Sequence, residues 1–230
     1  MDGDRKHWDA TFERWISEAE AAGEDPNDIG DREWQGSAED GARKLYLPHI
    51  TSRSVVLELG PGSGRYTRHI IGVCRRMILV DYSSIVCEWL EKYLEGRGEY
   101  EIHHISGPQM PQVNDETVDF AFAHGVFEHL FLDDIFWFFE EFYRVLRPGA
   151  LFKFNFDNLM SDGGMAHLRR TQGAPGERNI FRFYHPKSLC NLARQTGFQD
   201  SKLAVDETRF AFLELSKPPL ALSTPAAAGR

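Results

Sequence analysis

From residue 54 onward, short apolar runs alternate with longer stretches in which apolar side chains recur every three or four positions. Val55-Val56-Leu57-Glu58-Leu59, Met77-Ile78-Leu79-Val80, Val118-Asp119-Phe120-Ala121-Phe122 and Ala150-Leu151-Phe152-Lys153-Phe154 have the length and near-continuous hydrophobicity of strands buried on both faces of a parallel sheet. A further strand is expected at 100–105. Helical spacing marks 66–74, 84–94, 132–146 and 186–196; Arg147-Pro148-Gly149 ends the third of these and Gly197 closes the last. Strand alternating with helix predicts an α/β fold: a doubly wound, mostly parallel seven-stranded sheet with helices on both faces. Its ligand crevice should lie outside the carboxyl ends of the strands. Runs at 202–205 and 210–215 would finish an antiparallel edge.

The segment before this alternation is charged, but Trp8, Phe12, Trp15 and Ile16 share one helical face. The turn-rich Gly-Glu-Asp-Pro-Asn-Asp-Ile-Gly at 23–30 then breaks that pattern. We read 1–47 as an N-terminal helical lid, 48–216 as the main domain and the Pro/Ala-rich 217–230 as a tail. No internal repeat is visible.

Charge and composition narrow the function classes. The chain of 230 residues carries 26 Lys and Arg against 35 Asp and Glu, a formal net charge of −9, which argues against nucleic-acid binding by bulk charge. No apolar run approaches the ~20 residues a membrane crossing needs, and the chain opens Met-Asp-Gly-Asp-Arg-Lys rather than with a basic and then apolar leader. A soluble, cytoplasmic protein is expected, with no membrane partner. Cys74, Cys87 and Cys190 are scattered and lack zinc-site or disulfide-framework spacing.

The most informative stretch is the apolar strand that runs into Gly60-Pro61-Gly62-Ser63-Gly64. Glycines at alternate positions let a ligand approach the backbone closely. A dinucleotide loop is spaced G-x-G-x-x-G and puts a helix N-terminus on a pyrophosphate. Here the spacing is G-x-G-x-G and Glu58 precedes it; an acid there repels a pyrophosphate and suits a ligand bearing an ammonium group and hydroxyls. The next strand ends in Asp81, placed to accept both hydroxyls of a ribose.

This pair of features resembles the class I S-adenosylmethionine-dependent methyltransferases, whose first motif is E/D-x-G-x-G-x-G and whose second strand ends in an acid. Three further stretches match in order: Asp115-Glu116-Thr117-Val118-Asp119-Phe120 is similar to the family's fourth strand, Gly125-Val126-Phe127-Glu128-His129-Leu130 to the segment after it, and Phe142-Tyr143-Arg144-Val145-Leu146-Arg147-Pro148-Gly149 to the helix and turn before its fifth strand. The resemblance implies a Rossmann-like fold and S-adenosylmethionine as cofactor, held by Glu58, Gly60, Gly62, Gly64, Asp81, Tyr82 and His124. Adenine contacts are expected near Ser106 and Gly107, where family members often place an acid.

It also implies methyl transfer from a sulfonium to a nucleophile, with the protein aligning the acceptor and taking up a proton when that acceptor is a hydroxyl. His124, Glu128 and His129 follow the fourth strand and are the catalytic candidates, imidazole being able to accept a proton near working pH. Against that stands a simpler role for Glu128 and His129 at the start of a helix, in capping and dipole complementation. Glu128-His129 is also similar to the E-x-x-E-H of quinone-pathway O-methyltransferases, in which the acids and the histidine bind a divalent ion. Gly125 replaces the first acid here, so Mg2+ is kept only as a variant in which Asp133, Asp134 or substrate oxygens compensate.

Arg169, Arg170, Arg182, Tyr184 and Lys187, in or beside an acceptor-binding insert at about 157–185, could converge on an anion. The alternative is that the cations lie on solvated faces and that His185-Pro186 is an ordinary helix entry. Trp8, Trp15, Trp34 and Tyr46 could cover the pocket or simply pack. The expected function is O-methylation of a polar or anionic small molecule such as a sugar, sugar acid or natural-product intermediate. The alternatives are N-methylation and noncatalytic nucleoside binding; assembly as a homo-oligomer stays open.

Overall fold

A computed structural model describes residues 2–23, 36–173, 180–205 and 208–220. Helix α1 (Asp2–Ala22) is longer than its apolar face alone suggested. Helix α2 (Ala38–Leu45) follows, its first turn closed by the Ser37 hydroxyl accepting from the Asp40 amide. The alternating part then runs β1 (Val55–Leu59), α3 (Thr67–Ile70), β2 (Arg76–Asp81), α4 (Ser84–Tyr93), β3 (Tyr100–His104), β4 (Val118–Ala123), α5 (Leu132–Val145) and β5 (Leu146–Asn158). It ends with α6 (Asp162–Gly173), β6 (Phe183–Tyr184), α7 (Pro186–Gln195), β7 (Gln199–Val205) and β8 (Phe210–Ser216).

The strands form one sheet in the order β3-β2-β1-β4-β5-β8-β7, with the two-residue β6 beside the end of β5. Strands β1 to β5 pair in parallel and β8 and β7 antiparallel, as expected, with β6 as an eighth strand. Because the strand order reverses direction between β1 and β4, a crevice opens there at the strands' carboxyl ends. On one face Phe138, Phe139 and Phe142 of α5 pack on Phe152 and Phe154, and the Phe142 and Phe152 rings stack 3.7 Å apart. On the other, Phe12, Tyr46, Val86 and Leu90 cover Phe120 and Phe122.

Three stretches depart from the sequence expectation. The expected helix at 66–74 holds only the single turn of α3. Arg147-Pro148-Gly149 does not separate helix from strand: Leu146 already pairs with Val118, a register shift absorbs the intervening residues, and Gly149 turns at φ 84° to donate to the Lys217 carbonyl. Asp162-Gly163-Gly164, which its glycines alone would mark as a link inside the expected insert, begins α6. A Cβ on Gly164 would stand 1.9 Å from the Asn158 carbonyl oxygen and one on Gly163 2.6 Å from backbone of Thr208, so these glycines permit close packing of a helix start.

Lys217, placed in the tail by composition, is buried; its ammonium donates to Glu116 and to the Leu146 carbonyl. Trp34 and residues 221–230 lie outside the described residues. No helix among the described residues is long and apolar enough to cross a membrane.

Candidate active site

A cavity occupies the crevice. Its floor comes from the end of β1 and the glycine loop (Glu58, Gly60, Gly62), one wall from the end of β2 (Asp81, Tyr82, Ser83) and another from the end of β4 (His124, Gly125, Val126). Helix α1 supplies the cover through Trp8, Phe12 and Trp15. These are the aromatic positions whose spacing marked a helical face, and two of them belong to the expected cover. Tyr46, also expected there, is fully buried beneath the cavity instead.

Gly60 and Gly62 have φ of 68° and 54°, values that an L side chain rarely adopts. Among the described residues no atom lies within 4 Å of where a Cβ on Gly62 would stand, whereas one on Gly60 would press on Val126 Cγ2. The loop is therefore bare toward the cavity at Gly62 and pressed against the opposite wall at Gly60. Gly64 faces away, with Tyr93 2.9 Å from its would-be Cβ.

Two carboxyls line the cavity, one in the floor and one in the β2 wall. Glu58 is buried and accepts a 2.6 Å hydrogen bond from the Thr67 hydroxyl. Burial pushes its pKa up to about 8, the Thr67 bond opposing and the nearby Asp81 charge adding to the rise. Burial likewise raises Asp81, to about 6, against the backbone N–H groups of Ser83, Gly62 and Tyr82 that favour its ionised form. The Ser83 amide donates to Asp81 Oδ1 at 2.8 Å, while the Ser83 hydroxyl bonds Asp9 of α1 and caps α4 at the Val86 amide. One serine thus ties the acid, the cover and α4 together.

The β4 wall carries two histidines. His124 has both ring nitrogens opposite phenols: Nδ1 is 2.6 Å from the Tyr46 hydroxyl and Nε2 3.2 Å from that of Tyr66. His129 places Nδ1 3.0 Å from the Ile180 carbonyl, with the rings of Trp8 and Phe181 at 4.7 and 5.0 Å. Burial lowers both imidazoles, to about 3 and about 4, so each is neutral at physiological pH. Arg65, another lining residue, donates through Nη2 to the Gly36 carbonyl and through Nη1 to the Tyr66 hydroxyl.

The other expected site residues lie elsewhere. Glu128 is fully buried outside the cavity lining; among the described residues neither carboxyl oxygen has a hydrogen-bond partner, and burial beside Asp157 raises it to about 8. Ser106 is exposed, and neither it nor Gly107 lines the cavity. Arg169 and Arg170 are exposed on α6 and Lys187 on α7; Arg182 stacks 4.0 Å over Phe131, and the Tyr184 hydroxyl donates to the Leu130 carbonyl. His185 accepts from the Lys187 amide as the cap of α7, which makes His185-Pro186 a helix entry. These cations do not converge on the cavity.

Sequence reasoning passed over Arg65, Tyr66, Ser83 and Val86 as lining residues. Arg65 and Tyr66 directly follow the last glycine of the loop, the one signal that could have marked them. Among the described residues, no group of three or more His, Cys, Asp or Glu side chains is arranged to hold a metal ion.

The bare glycine backbone, the carboxylate at the end of β2 and the second acid beneath the loop fit an adenosyl ligand with ribose hydroxyls and a cationic end. Residues 57–154 match the methyltransferase domain family. The malonyl-[acyl-carrier protein] O-methyltransferase of Yersinia pestis is 26% identical over 166 residues, covering 68% of this chain; the chain spans 57% of that relative's length. A SAM-dependent methyltransferase of Thermotoga maritima superposes with a TM-score of 0.60 at 21% identity, over 79% of this chain and 88% of that one. One from Aquifex aeolicus gives 0.62 at 17%, over 83% and 97%. Residues 57–154 are thus similar to the methyltransferase domain family, on a fold shared with S-adenosylmethionine-dependent methyltransferases.

Proposed function

We propose that the protein methylates an oxygen of a polar small molecule, with His129 taking up the hydroxyl proton. One observation carries this reading. The Ile180 carbonyl is only an acceptor, so His129 Nδ1 holds the imidazole proton and Nε2 is left with the lone pair on a neutral ring at the cavity wall. The name of the Yersinia pestis relative supports oxygen as the target atom, while that of the Thermotoga maritima structure, a possible histamine N-methyltransferase, supports nitrogen as the second reading.

S-adenosylmethionine, when bound, supplies a methyl carbon activated by a sulfonium. The chain's own residues do the rest. Asp81 would hold the ribose hydroxyls, Gly60 and Gly62 would admit the cofactor's backbone-hugging edge, and Glu58 would face its cationic end. Trp8, Phe12, Trp15, Val126 and Leu130 exclude water and restrict the acceptor's approach. With Arg169, Arg170 and Lys187 away from the cavity, a hydroxylated acceptor fits better than one selected by several cations.

Hydroxylated sugars, sugar acids and natural-product intermediates should be screened for acceptor-dependent formation of S-adenosylhomocysteine, with wild type and His129→Ala in parallel. A hydroxyl acceptor is expected, with turnover falling about 100-fold in the variant while cofactor affinity holds. Transfer only to amines, or full turnover of His129→Ala on a hydroxyl, would refute the reading.

A further inference from the structure

Asp157, at the end of β5, has no exposed surface. Arg209, just before β8, donates to both of its oxygens, through Nη2 to Oδ2 at 2.9 Å and through Nε to Oδ1, and His167 of α6 places Nδ1 3.1 Å from Oδ2. A two-point pair of this kind fixes the plane of the guanidinium as well as its position. Arg209 Cζ then lies 4.8 Å from the centre of the Phe181 ring, with His167 edge-on to that ring at 4.5 Å and His129 at 5.0 Å. Phe181 follows Ile180, whose carbonyl faces His129 Nδ1 at 3.0 Å. That carbonyl lies in the peptide plane between residues 180 and 181, so whatever seats Phe181 also aims the acceptor that decides which imidazole nitrogen carries the proton. The next peptide is anchored separately, the Arg182 amide donating to the Glu128 carbonyl at 2.6 Å.

We propose that Arg209, clamped on Asp157, is a positioning residue for the transfer: through Phe181 it aims the Ile180 carbonyl at His129 and so keeps the imidazole lone pair on Nε2, the nitrogen left for an acceptor hydroxyl. Neither Arg209 nor Asp157 lines the cavity. The kinetic side of this inference rests on the proposed O-methylation, whereas the placement of the imidazole proton does not. Arg209 also acts on His129 by charge: with His7 and Arg182 it adds to burial, the larger cause, in disfavouring a charged ring. Phe181→Leu keeps that charge and removes only the ring, so it separates the two effects.

Long-range 1H–15N spectra of the ligand-free protein at about pH 7.5, with His129 assigned through His129→Gln, read the tautomer and need neither cofactor nor acceptor. His129 is expected to be protonated at Nδ1 in wild type and to become a mixture with the Nε2–H form in both Arg209→Met and Phe181→Leu. An Nε2-protonated His129 in wild type, or an unchanged tautomer in both folded variants, would overturn the inference. So would a change in one variant only: in Arg209→Met alone it traces to charge, and in Phe181→Leu alone Phe181 is seated without Arg209. Should Arg209→Met not fold, Phe181→Leu, which leaves the buried ion pair in place, still refutes the relay by an unchanged spectrum.

On a hydroxyl acceptor, both variants are expected to lower kcat about 10-fold while KM and the affinity for S-adenosylhomocysteine stay near wild type. A loss in KM or cofactor affinity instead of kcat would mark Arg209 as merely structural and overturn its positioning role. A shifted tautomer with full turnover would leave the placement of the proton standing and refute His129 as the proton acceptor.

Discussion

His129 Nδ1 lies 3.0 Å from the carbonyl of Ile180, a residue some fifty positions further along the chain, so the orientation of the imidazole is fixed by a segment outside the nucleoside-binding half. Burial holds this ring neutral down to about pH 4. Turnover on a hydroxyl acceptor is therefore expected to stay level between about pH 5 and 8 and to fall only below that range, rather than near the ordinary histidine value of about 6.5. A kcat profile with its acid limb at 6 to 7 would argue against His129 as the base.

Cofactor affinity should follow a different titration. Asp81, proposed to hold both ribose hydroxyls, offers two acceptor oxygens only when ionised, and burial raises its pKa to about 6 in the free protein. Binding is then at full strength above about pH 6 and weakens about tenfold per unit below it, because a proton must be released. Asp81→Asn should remove that dependence and cost about 10- to 100-fold in affinity at neutral pH. Calorimetry with S-adenosylhomocysteine at pH 5 and 7.5 checks both; equal affinities for wild type would count against this role of Asp81.

Glu128 bears on stability. Its folded-state pKa of about 8 stands above the ordinary carboxyl value, so the folded chain holds a proton that the unfolded chain releases as pH rises through 5, 6 and 7. Stability is whole in acid and is progressively lost toward pH 8. Glu128→Gln mimics the protonated form without titrating. It should match wild type near pH 5 and exceed it by about 1–3 kcal/mol at pH 8.5, several degrees in Tm. Superimposable melting curves at both pH values would contradict this.

The two cavity-facing glycines should fail in different ways. Gly60→Ala drives a methyl group into Val126 at a positive φ and should destabilise the fold by about 1–3 kcal/mol. Gly62→Ala meets no protein atom within 4 Å; it should cost only about 1 kcal/mol of backbone strain, yet weaken cofactor binding because its methyl projects into the cavity. Thermal melts paired with nucleoside titrations separate the two. A Gly62→Ala protein that binds like wild type would show that the loop does not touch the cofactor.

Residues whose role is set by a neighbour in sequence were readable in advance. The strands, the glycine loop, Glu58 and Asp81 carry their meaning in local order, and the cavity forms where that order places the switch in the sheet. Spacing put Trp8, Phe12 and Trp15 on one helical face, but that this face lines the cavity is seen only in the fold. Roles that depend on a distant partner were not readable. Gly163 and Gly164 look like breakers until the backbone of residues 158 and 208 is seen against them. Arg182 looks like an anion ligand until Phe131 occupies its guanidinium face. Leu146 looks like the end of a helix, but pairing with Val118 starts a strand there.

The rings of Trp8 and Phe181 flank His129 from opposite ends of the chain. The nucleoside floor and wall are built from β1 and β2 alone, whereas the surroundings of this histidine join the first helix to a segment beyond β5, so the two halves of the site draw on different stretches of the polypeptide.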